Sequence, residues 1–342
     1  MTSPADAPST LMAAEIAEAP AALARFFDAE SSNLQRIGAR LRELSPAYAV
    51  TCARGSSDNT AGYFKYLSEI LAGVPVASVG PSVASIYKAP LRFKGAVVVS
   101  VSQSGKSPDI VALQARAREA GAFAVAIVND ASSPLAAEAD AVLPLHAGPE
   151  KSVAATKTCL SSAAVLAALV AEWHQDKALQ QGVRDLPAAF EAALTADWDA
   201  ALPVFEKAQS AYVIGRGPAF PIAQEAALKL KETAVLHAEA YSGAEVMHGP
   251  LQLVDAGFPV LAFRPRDAAF TAMGEAIERM RGAGANVFVA GGNSLPFKSS
   301  GHALLDPLAM LVSFYGLAEK VARGRGHDPD RPSRLRKVTE TI

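Results

Sequence analysis

Three ionisable residues share one side of a short helical stretch, Gln224-Glu225-Ala226-Ala227-Leu228-Lys229-Leu230-Lys231-Glu232. Glu225, Lys229 and Glu232 lie four and three positions apart, which stacks them on one helical face. An exposed ladder of ion pairs has the same spacing and contributes only about 0.2–0.5 kcal/mol per pair. The next residues argue for more than that. Leu236 to Glu245 reads as a turn with ionisable groups and little bulk, and Met247-His248-Gly249-Pro250 fixes a histidine in a loop. Carboxylates and a histidine in a segment unlike a plain core are the groups that general acid–base catalysis uses. A second cluster lies upstream. The run Val97 to Val101 reads as a buried strand, and Ser102, Gln103, Ser104 and Ser107 crowd the turn after it. Pro108 suits the first turn of the next helix and Ser107 its N-cap. Free N–H groups, the helix dipole and several hydroxyls then converge, as an anion requires. A capped turn would use the same residue types. The density of donors favours an anion, and without a Walker or Rossmann pattern a small phosphorylated molecule is expected before a nucleotide.

These groups need a scaffold, and the sequence describes one. Ala47 to Ala53 predicts a strand, with Arg54-Gly55-Ser56-Ser57-Asp58 as the loop after it and a helix over Asn59 to Ala72. Further strands are predicted at Val74–Val79, Phe123–Val128 and Ala141–Leu145, and helices at Ile110–Ala120 and Thr158–Trp173. Alternating β and α elements argue for a parallel sheet covered by helices. In such sheets ligands bind beyond the carboxyl ends of the strands, where both polar loops fall. Asp176 to Gln209 reads as a helical connector broken at Pro187 and Pro203. The pattern then restarts: strand Ala211–Ile214, Gly215-Arg216-Gly217, later strands Phe258–Phe263 and Ala285–Ala290, and helices Thr271–Arg281 and Leu308–Arg323. The order of elements indicates an internal duplication. By composition, Met1 to Thr10 is a loose tail and Gly324 to Ile342 a disordered one.

Composition narrows the classes. The 342 residues are half hydrophobic and 19% charged, enough for about two domains with substantial cores. A net charge of −2 gives no pull toward nucleic acid or an anionic membrane. No apolar run reaches transmembrane length, and Asp6 and Glu15 interrupt any signal-peptide pattern. The two cysteines, Cys52 and Cys159, sit in apolar segments, which suits packing in a reducing compartment. A cytoplasmic protein is expected. The six histidines are scattered without metal-ligand spacing, and no cofactor motif appears.

Several of these segments resemble the sugar isomerase (SIS) domain family. They are Ser102-Gln103-Ser104-Gly105, Glu150-Lys151-Ser152-Val153-Ala154-Ala155-Thr156-Lys157, Leu228-Lys229-Leu230-Lys231-Glu232, His237-Ala238-Glu239-Ala240-Tyr241 and Met247-His248-Gly249-Pro250. The pattern is similar to the isomerase half of glucosamine-6-phosphate synthase, and more so to SIS-type glucosamine-6-phosphate deaminases. The resemblance implies two tandem SIS domains, each a five-stranded parallel sheet flanked by helices, over 34–180 and 210–323. Residues 1–33 would be an N-terminal tail and helix, 181–209 the connector and 324–342 a lid. It implies that Ser56, Ser57, Ser102, Gln103, Ser104, Ser107 and the Val153 backbone hold the sugar phosphate. Glu232 would move a proton between C1 and C2, and Lys229 would contact the sugar or tune Glu232. His248, supplied by the neighbouring subunit of a homodimer, would assist ring opening, and Lys337 would form an imine with the open-chain ketose. No cofactor is implied.

The family synthase carries Cys where Arg54 stands and Glu where Lys106 stands, so two added cations beside the pocket fit an altered substrate step. No cysteine precedes Cys52 to serve a glutaminase. The expected reaction is glucosamine 6-phosphate plus water giving fructose 6-phosphate plus ammonia. The alternatives are a SIS isomerase or deglycase acting on another amino sugar phosphate or a fructosamine phosphate, and a non-catalytic sugar-phosphate sensor. The sensor would call for a DNA-binding helical domain or the loss of the carboxylate and tail lysine.

Overall fold

Five parallel strands form the first sheet: β1 (Ala49–Cys52), β2 (Val76–Ser78), β3 (Val97–Ser102), β4 (Phe123–Val128) and β5 (Ala141–Pro144), in the order β2-β1-β3-β4-β5. Every residue of β1 and β3 is buried, which is why these strands read as apolar runs rather than alternating ones. The structure is a computed structural model and describes residues 10–337. The expected loose stretch before Thr10, and 338–342 of the expected lid, lie outside the described residues.

The second sheet contains β6 (Ser210–Gly215), β7 (His237–Ser242), β8 (Pro259–Phe263) and β9 (Asn286–Ala290), all parallel, in the order β7-β6-β8-β9. It has four strands, not the expected five. After β9 the chain passes Gly291-Gly292, makes a single bridge from Ala290 to Leu295 and meets Pro296. Glycine weakens a strand and proline removes a ladder donor, so pairing stops there.

Helices cover both faces of the sheets. They are α1 (Leu11–Ala17), α2 (Ala19–Leu44), α3 (Ser56–Leu67), α4 (Ser82–Ser85), α5 (Pro108–Glu119), α6 (Pro134–Ala137), α7 (Lys157–His174), α8 (Lys177–Leu194), α9 (Leu202–Lys207), α10 (Ala219–Ala234), α11 (Phe270–Gly282) and α12 (Asp306–Gly324). Sixteen of the 18 residues of α7 are buried, as an Ala/Leu-rich helix without a polar face requires. It packs against α2, α3, α8 and α12 in one core that runs between the two sheets.

Four further expectations need correction. Pro187 does not break α8, because the buried face of Leu179, Val183, Leu186 and Phe190 carries the helix through it. Leu236 to Glu245 is mainly strand, not turn. β7 has no β-branched residue, yet it pairs along its whole length with β6, so tertiary pairing overrides local propensity. The charged segment after α12 is held in place. Asp330 accepts from the backbone N–H groups of Leu11 and Met12 at 2.7 Å each, and its carbonyl accepts from Val153 N at 3.1 Å. Thr10 is likewise no loose end, since its hydroxyl caps α1 and donates to Glu319 at 2.9 Å.

One close approach matters for the site. A Cβ added at Gly62 on α3 would lie 3.3 Å from the Pro221 side chain on α10. The bare glycine lets a helix of the first half meet a helix of the second.

Candidate active site

α3 starts directly after β1, so its first turn presents Ser56, Ser57 and Asp58 at the carboxyl end of the sheet. α10 packs beside it and carries Glu225, Lys229 and Glu232 on the face toward α3. The ladder is not exposed: Glu225 is 1% and Lys229 0% accessible. Lys229 Nζ donates to Ser56 Oγ at 2.9 Å and to Glu232 Oε2, and lies 3.4 Å from Glu225 Oε1. Asn59 and Tyr315 complete the Glu225 carboxylate, each donating at 2.9 Å. Burial works against the Lys229 ammonium, but Glu225 and then Glu232 outweigh it and raise its pKa above the ordinary lysine value. Lys229 is therefore a fixed cation at neutral pH.

Glu232 is half-buried, and one of its oxygens is clamped by Lys229. The other takes no hydrogen bond among the described residues. Glu232 lines a cavity of about 650 Å³ together with Arg54, Ser56, Ser57, Asp58, Ser107, Val153 and Lys337. The cavity sits beyond the carboxyl ends of β1 and β2, beside the point where the strand order reverses. The hydroxyls of Ser57 and Ser107 make no hydrogen bond among the described residues, so both are open to a ligand.

The far wall is the segment 149–157 with the tail laid over it. Lys337 Nζ donates to Glu150 Oε2 at 3.0 Å and to the Ser152 carbonyl at 2.7 Å. Glu150 also accepts from Thr156 N, Thr158 N and Thr158 Oγ1 at 3.1, 3.0 and 2.7 Å. Burial opposes the Glu150 charge, but Lys337 and the Thr158 donors outweigh it and hold its pKa below the ordinary value. Glu15 of α1 accepts from Lys151 N and Ser152 N, and buried Lys157 reaches Glu18 at 2.6 Å. The N-terminal helix thus braces the wall that carries the tail.

Not every expected residue meets here. Ser102 is buried and its Oγ accepts from Gly105 N at 3.1 Å, while Ser104 Oγ accepts from Lys106 N at 3.3 Å. Neither these two nor Gln103 lines the cavity. The Val153 N–H is already taken by Asp330, although the residue lines the cavity. His248 is exposed on a 3-10 turn, Glu245–His248, and is not in the cavity wall. Of the two added cations, Arg54 lines the cavity and pairs with fully buried Asp109. Lys106 instead faces Asp130 at 3.7 Å. Among the described residues no group of three or more His, Cys, Asp or Glu is placed to hold a metal, and no helix is long and apolar enough to cross a membrane.

The SIS domain model matches residues 48–172 and 204–290, well over half of the chain. The chain belongs to the SIS domain family. Its two SIS regions contain the two sheets and both helices that meet at the cavity. A candidate phosphosugar isomerase of Silicibacter pomeroyi is 46% identical, with a TM-score of 0.91 over 94% of this chain and 100% of that one. The C-terminal domain of glucosamine-fructose-6-phosphate aminotransferase from Francisella tularensis is 26% identical, with a TM-score of 0.81 over 97% of this chain and 100% of that one. The glutamine–fructose-6-phosphate aminotransferase of Zymomonas mobilis is 34% identical over 86% of this chain and 52% of its own length. This SIS chain spans little more than half the length of the curated relatives it matches.

The sequence pointed to Arg54 only as an added cation beside the pocket, and gave no role to Asp58 or Glu150. What was lacking was their surroundings. Arg54 is defined by an ion pair to a residue 55 positions away, and Glu150 by one 187 positions away.

Proposed function

We propose that this SIS protein converts glucosamine 6-phosphate and water to fructose 6-phosphate and ammonia. The observation that carries the reading is Glu232, clamped through one oxygen by a buried ammonium and open through the other, in the wall of a cavity that Lys337 also enters. Aldose–ketose proton transfer needs such a carboxylate beside two adjacent carbons of an open chain. The similarity to the candidate phosphosugar isomerase of Silicibacter pomeroyi and to the aminotransferases named above supports a sugar phosphate as substrate.

In this reading Ser57 and Ser107 hold the phosphate at the first turns of α3 and α5, where hydroxyls and the helix dipole favour an anion. Ser102, Gln103 and Ser104 shape the loop that places Ser107. Glu232 removes the proton from C2 of the open-chain aldehyde and returns it to C1. The product of that shift is the C2 imine of fructose. Lys229 fixes the orientation of Glu232. Lys337, once it leaves Glu150, adds to C2 and expels ammonia to form its own imine, which water hydrolyses to the ketone and the free lysine. His248 assists ring opening from the neighbouring subunit of a homodimer, as the SIS resemblance implies.

A second reading, a deglycase for fructosamine phosphates, is favoured by one feature. A further cavity of about 410 Å³ adjoins the first and has room for a substituent on the amine. Purified protein incubated with glucosamine 6-phosphate should release ammonia and fructose 6-phosphate in equal amounts. Inactivity there, with turnover of a fructosamine phosphate, would replace the first reading with the second.

A further inference from the structure

Arg54 is a cation that the fold has anchored at the rim of the first sheet. Its Nε donates to Asp109 Oδ2 at 2.8 Å, and its Nη2 donates to the same oxygen. The Asp109 side chain is 0% exposed, and its other oxygen accepts from Ile110 N at 2.9 Å. The Arg54 side chain is 46% exposed and lines the larger cavity. A guanidinium has five N–H donors. Two are on Asp109, so three remain for a ligand. The other cations of the cavity wall come from the tail. Lys337 is held by Glu150, and Arg336 has no ion pair among the described residues to fix it.

The pair also joins two helix ends. Arg54 stands two positions before Ser56, the first residue of α3, and Asp109 is the second residue of α5. Each helix is 12 residues long, and the open hydroxyls of Ser57 and Ser107 lie in the same wall as Arg54. Two helix dipoles favour an anion there, and a planar fork matches the oxygens of a phosphate. A tie between two loops would use the same ion pair. It would not call for a guanidinium in the cavity wall with three donors unused. We infer that Arg54 is the charged group through which this cleft grips the substrate phosphate, and that Asp109, out of a ligand's reach, is its positioning residue. The inference rests on reading the cavity as a sugar-phosphate site and names the cation in it that recognises the phosphate.

The test is calorimetric titration of the full chain with glucitol 6-phosphate, an open-chain probe that cannot react, and with inorganic phosphate as its competitor. The parent should bind the probe and lose it to phosphate. Arg54→Lys keeps a cation for Asp109 but gives up the fork, and should weaken the probe by about 10-fold. Arg54→Gln combined with Asp109→Asn removes the cation without leaving a buried charge behind. That double variant should weaken the probe by about 10- to 100-fold, the worth of one charge-assisted hydrogen bond. Asp109→Asn alone leaves Arg54 without its anchor. It should raise KM for glucosamine 6-phosphate and leave kcat within about threefold, whereas a fall in kcat at unchanged KM would deny Asp109 the positioning role. The inference falls if Arg54→Lys and the double variant both bind the probe within about twofold of the parent. A parent that binds no glucitol 6-phosphate would instead remove the sugar-phosphate reading itself.

Discussion

Replacing Lys229 with methionine would leave Glu225 without a cation in a place that water does not reach. The two side chains are 0% and 1% exposed, so solvent cannot compensate. Breaking a buried pair from one side costs about 3–5 kcal/mol, because the remaining charge stays desolvated. Asn59 and Tyr315 still donate to Glu225, which puts the expected loss near the lower end. At about 2–4 °C per kcal/mol for a protein of some 150–250 residues, and somewhat less for a longer chain, the melting temperature should fall by roughly 5–10 °C. Burial raises the Glu225 pKa from its ordinary value of 4.5, and the variant removes the main opposing influence. An acid with a raised folded-state pKa destabilises the fold above that pKa, and the penalty fades as pH falls through it toward 4.5. The deficit of Lys229→Met should therefore be larger near neutral pH than in mild acid. Adding Glu225→Gln should restore most of the lost stability. Differential scanning calorimetry across pH on the parent, single and double variants decides the matter. A single variant that melts with the parent, or a double variant no better than the single, would refute the claim that Lys229 is the counter-charge of a buried acid.

Glu232→Gln should lower kcat for ammonia release by about 10²–10⁴-fold with KM little changed, the worth of one general acid–base group; full activity would dismiss the base assignment. Lys337→Met removes the ion pair to Glu150, so the tail after Asp330 should be cut faster in limited proteolysis, and an unchanged rate would mean that the contact holds nothing. The Glu150 pKa is depressed below 4.5, so its contribution is present above 4.5 and lost as pH falls through the lower folded value. Tail protection should follow that window in the parent and be absent from it in Glu150→Gln. Gly62→Leu would wedge α3 from α10, where a Cβ already meets Pro221 at 3.3 Å, at a cost of about 1–3 kcal/mol. Its kcat should fall more than its melting temperature suggests, because Lys229 and Ser56 lie across that contact.

The strands that carry the site were legible because they are buried on both faces, and Val97–Val101 has no other reading. The helical face of Glu225, Lys229 and Glu232 was legible too, since spacing alone sets it. Its meaning was not. Whether Lys229 faces water or Ser56, 173 positions away, depends on two halves of the chain meeting. The same applies to β7, whose composition disfavours a strand until β6 lies beside it, and to the missing fifth strand of the second sheet. The tail shows the limit most clearly. Its charged, proline-containing composition describes a chain that cannot build a core. It needs none, because Asp330 and Lys337 find ready-made partners on α1 and the 149–157 segment.

That arrangement ties the first helix to the segment that carries Lys337 although more than 300 residues separate them. Glu15, Glu18 and Asp330 join α1, the cavity wall and the tail into one unit. A shortened version that starts at α2 would keep both sheets, but it would take Met12 and Ile16 out of the core and Glu18 away from buried Lys157, so it should melt earlier. It would also remove the α1 anchor of Asp330 and the Glu15 brace of the wall, leaving Lys337 only Glu150 and the Ser152 carbonyl to position it. Changes at the amino end therefore reach the wall of the candidate site, and any such version should be judged by turnover as well as by its melting curve.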